Sequence, residues 1–189
     1  MVETVLPYDG REYYELNIAG LKRNLPLLKV SDDTWIAYFD SLGDKEFISH
    51  CAKILAERLV GSEVLMTSES KGIPLVHEIA GLLNHRYYIV ARKEVKPFMS
   101  NPLVVECKPI TSKTTVRLSI DGRYIPRLKD KKVSIVDDIV STRETMSALE
   151  ELAKKAGAVI YKKVAILVEG ATYNDVEYLG ILPIFKKTT

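Results

Sequence analysis

The sequence predicts an α/β protein whose central sheet is mainly parallel and flanked by helices. Two observations carry that expectation. Apolar runs of strand length alternate with segments whose apolar residues recur three and four positions apart. The order strand, helix, strand, helix, strand then calls for crossover connections between parallel strands. A third observation bounds the size: 47% of the 189 residues are apolar, enough to cover both faces of such a sheet in one ordinary domain.

Each element has a local reason. Gly43-Asp44 precedes Phe47, Ile48, Cys51, Ile54, Leu55 and Leu59, a stripe that predicts a helix closing near Gly61. Val64-Leu65-Met66-Thr67 reads as a short buried strand. Gly72-Ile73-Pro74 opens a second helix, with Leu75, Ile79 and Leu82 on its inner face and proline near the first turn. Tyr87 to Ala91 is the next strand. Leu103 to Val105 and Thr115 to Ile120 look extended, and Asp121-Gly122 supplies a turn. Lys132 to Asp137 is a third core strand. A helix over Glu144 to Ala156 follows, with Gly157 at its end. Val159 to Val168 returns as a long strand, and Ile181 to Phe185 closes the sheet.

Composition excludes several classes. With 27 basic and 25 acidic residues the net charge is +2, which gives no global case for nucleic-acid or membrane binding. Cys51 and Cys107 form no CxxC pair for zinc and cannot staple a secreted mini-domain. The N-terminus has no basic stretch leading into a long apolar core, and no apolar run nears the ~18 residues that span a bilayer. The expectation is a cytoplasmic protein with no membrane partner. His50, His77 and His85 lie on helical patterns without paired cysteines or carboxylates, so structural roles are expected for them.

The sharpest motif is Val133-Ser-Ile-Val-Asp-Asp-Ile-Val-Ser-Thr-Arg-Glu-Thr-Met146. An apolar strand delivers two carboxylates, Asp137 and Asp138, to its carboxyl end, and a hydroxyl-rich turn at Ser141-Thr142 enters a helix. Adjacent carboxylates repel, so their pairing makes sense where they accept hydrogen bonds from a diol or face a cation. Hydroxyls and free N–H groups at a helix start suit a phosphate. Together they fit a phosphorylated sugar; an ordinary capped loop is the plain alternative. Two further segments carry anion chemistry. Thr67-Ser-Glu-Ser-Lys-Gly-Ile-Pro74 follows a strand, so successive N–H groups there can form an anion nest with Lys71 beside it. Val90-Ala-Arg-Lys-Glu-Val-Lys-Pro97 places Arg92, Lys93 and Lys96 close together, as a polyanion needs.

These residues resemble the type I phosphoribosyltransferases, whose fingerprint is an apolar strand, two acidic residues, two variable residues, then Ser/Thr-Thr-Gly-Gly-Thr. Asp137, Asp138, Ser141, Thr142 and Thr145 match it; Arg143 and Glu144 stand where the family usually has two glycines. The 67–74 segment is similar to the family's pyrophosphate loop, with Glu69, Ser70, Lys71 and Gly72 in its positions. The 90–97 segment and Ile18 to Leu28 are similar to stretches of the adenine enzymes. The resemblance covers most of residues 14 to 170. It implies one domain over 1–189, with a small hood from about 1–35 and 170–189 and a mobile loop over about 97–115. It also implies transfer of ribose 5-phosphate from phosphoribosyl pyrophosphate to a purine, adenine favoured, with Mg²⁺ carried by the donor pyrophosphate and no certain direct protein ligand. Asp137 and Asp138 would hold the ribose and assist catalysis, with Glu106 the nearest candidate acid/base. Ser141, Thr142, Arg143, Glu144 and Thr145 would hold the 5′-phosphate, and Glu69 to Gly72 with Arg92, Lys93 and Lys96 the pyrophosphate. Ile139 and Val140 would wall the base. Tyr8, Tyr13, Tyr14, Trp35, Tyr38 and Phe185 are aromatic candidates for the other wall. A homodimer and no nucleic-acid partner are expected. Enzymes for 6-oxopurines commonly carry Asp where this chain has Ser141, which leans toward adenine. The alternatives are a hypoxanthine/guanine enzyme, or a non-catalytic regulator on the same fold that binds nucleotide and nucleic acid.

Overall fold

The computed structural model describes residues 2–107 and 115–187. In chain order, β1 (Val2–Glu3), β2 (Val5–Tyr8), β3 (Tyr13–Ile18), β4 (Leu21–Lys29) and β5 (Thr34–Ala37) come first. They lead into α1 (Lys45–Arg58), β6 (Val64–Ser68), α2 (Gly72–Leu82) and β7 (Ile89–Ala91). A hairpin of β8 (Leu103–Cys107) and β9 (Val116–Ile120) precedes the short α3 (Ile125–Leu128). The remainder is β10 (Lys132–Val140), α4 (Glu144–Lys155), β11 (Val159–Glu169), β12 (Ala171–Thr172), β13 (Glu177–Leu182) and β14 (Ile184–Lys187).

The α/β expectation holds. The main sheet has the order β13-β11-β10-β6-β7, and every neighbouring pair in it is parallel. Parallel strands covered on both faces read as continuous apolar runs, and β6 and the centre of β10 are buried throughout. One core packs α1 and α2, through Phe47, Cys51, Leu55, Leu75 and Ile79, onto one face of the sheet. The other packs Met146, Leu149 and Leu152 of α4 onto the opposite face, together with Val105 and Leu118 of the hairpin. Asp44 caps α1 by accepting the Phe47 N–H at 3.0 Å, and Arg23 holds that carboxylate in place at 2.7 Å.

A second five-stranded sheet, β2-β14-β5-β4-β3, joins the N-terminal strands to the last strand of the chain. Leu16, Ile18 and Leu25 from it complete the core over α1. Its β3–β4 hairpin turns at Ala19-Gly20, both left-handed. Among the described residues, no helix is long and apolar enough to cross a membrane.

Four boundaries differ from the sequence reading. The strand expected over Tyr87 to Ala91 begins only at Ile89. The strand expected to end at Asp137 runs on to Val140, because β11 continues pairing beside it as far as Val140↔Val168. The single closing strand is two, broken at Pro183, which has no N–H for a ladder. Within the stretch of about 97–115, the extended segment expected at Leu103 to Val105 is β8, which runs on to Cys107 and pairs antiparallel with β9 from Leu103↔Ile120 to Cys107↔Val116. Residues 108–114 of that stretch, Ser112 among them, lie outside the described residues.

Candidate active site

The chain order fixes where a ligand belongs. From β6 the chain moves outward to β7, then returns to the other side of β6 to lay down β10 and β11. The connections therefore part company between β6 and β10, and at such a switch point the loops beyond the strand ends diverge and leave a crevice. The two loops there are Ser68–Gly72 and Ser141–Thr145. They bound a cleft of about 270 Å³ lined by residues 68–72, Lys93, Asp137, Asp138, Ile139 and Thr145. A smaller hollow of about 40 Å³ adjoins it, lined by Asp137 and residues 139–146.

The acidic pair is close to the solvent boundary yet largely covered: Asp137 is 8% and Asp138 6% exposed. The Asp138 N–H donates to Asp137 Oδ1 at 3.0 Å. The buried Ser41 hydroxyl donates to Asp138 Oδ2 at 2.9 Å. Burial, reinforced by the neighbouring Asp138 charge, pushes the Asp137 carboxyl well above the usual carboxylate range. Such a pair is prepared for partners that bring positive charge or hydroxyl donors.

The loop after β6 turns through a cis peptide between Glu69 and Ser70 and enters α2 with no side-chain cap. Gly72 is required by close approach: a Cβ there would lie 2.2 Å from Thr67 Oγ1. Lys71 Nζ pairs with Asp40 at 3.4 Å and stands 5.6 Å from the Tyr38 ring centroid. Glu69 faces its own protein. It accepts from the Lys93 N–H at 2.7 Å and from Arg92 Nη1 at 3.0 Å. Burial pushes the Glu69 carboxyl up, but these two donors outweigh it and hold it below its usual value. Of the three cations expected together, Lys93 alone lines the cleft; Arg92 is engaged by Glu69, and Lys96 pairs with Glu94 at 3.0 Å.

The turn after β10 has a distinct build. Arg143 adopts φ 65° and ψ −1°, left-handed, immediately before α4. The first amides of α4 have no side-chain cap, and the residues that carry them line the small hollow together with Thr142. The Arg143 guanidinium pairs with Asp175, a carboxylate that lines neither hollow. Ile139 borders both hollows, while Val140 is buried in the core beneath α4. Glu106 is on β8, paired with Arg117 at 3.3 Å and half exposed; it does not line the cleft. Tyr8 stacks on Trp35 at 3.9 Å, and Tyr14 meets Phe185 edge-on at 5.7 Å, within the second sheet. His50 Nε2 is 2.9 Å from the Ile18 carbonyl, and His77 Nδ1 is 3.3 Å from the Tyr88 hydroxyl. Sequence reasoning missed Asp40, Ser41, Tyr173 and Asp175. Ser41 lies 97 residues from Asp138, so no local pattern relates them.

No protein-family model matches the chain. A hypoxanthine/guanine phosphoribosyltransferase of Methanocaldococcus jannaschii is 31% identical over 117 residues, which make up 62% of this chain and 60% of that protein. The chain thus spans about three-fifths of the length of the curated relatives it first matches. Among solved structures, the adenine phosphoribosyltransferase of Thermoanaerobacter pseudethanolicus superposes with a TM-score of 0.61 at 18% identity, covering 90% of this chain and 95% of that one. The purine phosphoribosyltransferase of Pyrococcus horikoshii superposes with a TM-score of 0.51 at 25% identity, covering 71% and 82%. The fold is that of the type I phosphoribosyltransferases.

Proposed function

We propose that the protein is a purine phosphoribosyltransferase: it transfers ribose 5-phosphate from phosphoribosyl pyrophosphate to a ring nitrogen of a purine and releases pyrophosphate. The observation that carries this reading is the convergence of three anion-suited elements on one cleft: the 68–72 loop, Lys93, and the turn leading to Thr145 beside the acidic pair. A phosphate, a ribose and a pyrophosphate joined in one donor need such a row of sites.

In this reading Thr142, Thr145 and the first amides of α4 receive the 5′-phosphate. Asp137 and Asp138 accept from the ribose hydroxyls and stabilise positive charge that develops on the sugar as the leaving group departs. The N–H groups of the 68–72 loop and Lys93 take the pyrophosphate, with Ser41 holding Asp138 in register. Ile139 lies under the base. Glu106, tied to Arg117 on the hairpin, is assigned no step.

Mg²⁺ fits as a cation that arrives with the donor. Among the described residues no group of three or more His, Cys, Asp or Glu side chains could hold a metal alone; the metal would draw its oxygens from pyrophosphate and water, with the acidic pair nearby. When bound, it would neutralise charge on the leaving pyrophosphate.

The two sets of comparisons point to different bases. The sequence relatives, at 31–33% identity, are named hypoxanthine/guanine enzymes, whereas the adenine-named structure at 18% speaks for fold alone. We therefore favour a 6-oxopurine. Adenine is the second reading, supported by Ser141 where oxopurine enzymes commonly carry Asp. The test is pyrophosphate release from phosphoribosyl pyrophosphate and Mg²⁺ with hypoxanthine, guanine and adenine in turn. Hypoxanthine or guanine is expected to give the highest kcat/KM; adenine in first place would reverse the choice of base. Donor binding without release for any purine would overturn the enzymatic reading and leave the regulator.

A further inference from the structure

The turn that carries Ser141 and Arg143 is fastened by residues that line neither hollow. The Tyr173 hydroxyl donates to the Ser141 carbonyl. The Arg143 guanidinium pairs with Asp175, and its carbon lies 5.1 Å from the Tyr173 ring centroid. Asp175 is in turn shared with Lys163 Nζ at 2.5 Å, and Lys163 reaches Glu150 on α4 at 2.7 Å. The chain therefore runs from the turn to the β12–β13 connection, to β11, and back to the helix that the turn begins.

A left-handed arginine is costly, because its Cβ crowds the following carbonyl. It persists only where surroundings hold it. Here Asp175 and Tyr173 supply the hold. The backbone keeps a conformation that glycine adopts readily, while the guanidinium is engaged by Asp175 and lies against the Tyr173 ring.

We propose, resting on the phosphoribosyl reading above, that Arg143, Tyr173 and Asp175 are positioning residues forming a brace that sets the 5′-phosphate turn. The brace fixes by side-chain contacts a turn that carries glycines in most of the family. One rival arrangement is specific. Arg143 Nε is buried and has no partner among the described residues; in the rival arrangement the guanidinium leaves Asp175 and binds the phosphate. The two arrangements differ in sign. If Asp175 braces, Asp175→Asn weakens anion binding; if Asp175 merely holds Arg143 off, the same change tightens it.

The experiment measures ribose 5-phosphate affinity by calorimetry, and amide hydrogen exchange over residues 141–146 without ligand. It uses the full chain as wild type, Arg143→Ala, Arg143→Lys, Tyr173→Phe, Asp175→Asn and the Arg143→Ala/Asp175→Asn double variant. Removing any one contact is expected to speed exchange over 141–146 and weaken ribose 5-phosphate by about two- to tenfold. The double variant should be no weaker than Arg143→Ala within about twofold, since both changes break one contact. Lysine at 143 should recover part of the loss. In turnover, donor KM should rise with kcat little changed. Tighter binding in Asp175→Asn, or unchanged exchange in all variants, would overturn the brace. Faster exchange in the variants with no ribose 5-phosphate binding by wild type counts against the phosphoribosyl reading itself, and the brace then has no phosphate to position.

Discussion

Asp137 shows how one residue can oppose stability and serve chemistry. Its carboxyl is buried beside Asp138, and both facts favour the protonated form in the folded chain. A raised folded pKa means that the native state keeps a proton the unfolded chain has already released. Stability is then full below the ordinary value of 3.8 and falls as pH rises from there through the raised folded value. Asp137→Asn removes the titration but keeps an oxygen for the Asp138 N–H. The variant is expected to unfold at higher temperature than wild type at pH 7, with a smaller fall in stability between pH 4 and 7. The cation that arrives with the donor favours the charged carboxylate, so turnover of the variant should drop about 10- to 150-fold, the worth of a hydrogen bond to a charged group. Thermal scans across that pH range, set beside kinetics, check both halves. A variant no more stable than wild type at pH 7 would show that the burial cost is met elsewhere. Ser41→Ala makes the complementary case. Asp138 loses its buried donor, so kcat should fall several-fold, about the 0.5–1.5 kcal/mol of one hydrogen bond, with purine KM little altered.

Among the elements, the two loops at the switch point differ in what holds them. The 68–72 loop is held by sterics: Gly72→Ala would drive a methyl to within 2.2 Å of Thr67 Oγ1, and Thr67 is fully buried on β6. Overpacking of this kind costs about 1–3 kcal/mol, so the variant should show a lower Tm and a weakened donor KM, with guanidinium titration giving the midpoint shift. The Ser141–Thr145 turn is held by side chains. Replacing Arg143 and Glu144 together by glycine relieves the left-handed arginine while dissolving the pair with Asp175. These effects oppose one another, so phosphoribosyl pyrophosphate affinity should stay within about tenfold of wild type. A hundredfold gain from a barely measurable wild-type value would mark the native turn as obstructed and favour the regulator. The same contrast explains what the sequence disclosed. Helices α1, α2 and α4 were legible because each carries a continuous apolar stripe, and β6, β10 and β11 because buried parallel strands are apolar without interruption. The second sheet was not. Its β3 alternates exposed and buried residues over six positions, and β4 carries Lys22, Arg23, Asn24 and a proline; the two pair with each other, and the sheet is completed only when the last strand of the chain inserts between β5 and β2. Asp137, Asp138 and the phosphate turn were legible from residue type at close spacing. Ser41, Tyr173 and Asp175 were not, since hydroxyls and carboxylates in loops acquire meaning only from what folding brings beside them. Arg143 was readable as an anomaly, but its direction depended on Asp175, 32 residues away.

For the molecule as a whole, the cleft is where segments distant in sequence meet. The segment that leaves the second sheet after β5 contributes Asp40 to Lys71 and Ser41 to Asp138, so that sheet is tied to the 68–72 loop and to the acidic pair on β10 at once. Lys93 arrives from the far edge of the main sheet, positioned by Glu69 through its backbone N–H. A donor that spans the cleft would therefore bridge β6, β7, β10 and α4 in one contact set, and its binding should stabilise the whole domain. Ligand present at 100 times its Kd adds about 2.7 kcal/mol to the folded state, and for a chain of this length about 1 kcal/mol raises Tm by 2–4 °C. Phosphoribosyl pyrophosphate with Mg²⁺ is thus expected to raise Tm by roughly 5–11 °C at that saturation. Excess chelator should remove most of the shift. Without the cation, the pyrophosphate would bring uncompensated negative charge toward Asp137 and Asp138, and repulsion between such groups near 4 Å amounts to several kcal/mol at an effective dielectric near 20. Ribose 5-phosphate, lacking the pyrophosphate, should give a smaller shift that the chelator leaves alone. A full shift with phosphoribosyl pyrophosphate in excess chelator would mean that Lys71 and Lys93 neutralise the leaving group by themselves, and that the metal is no part of donor binding.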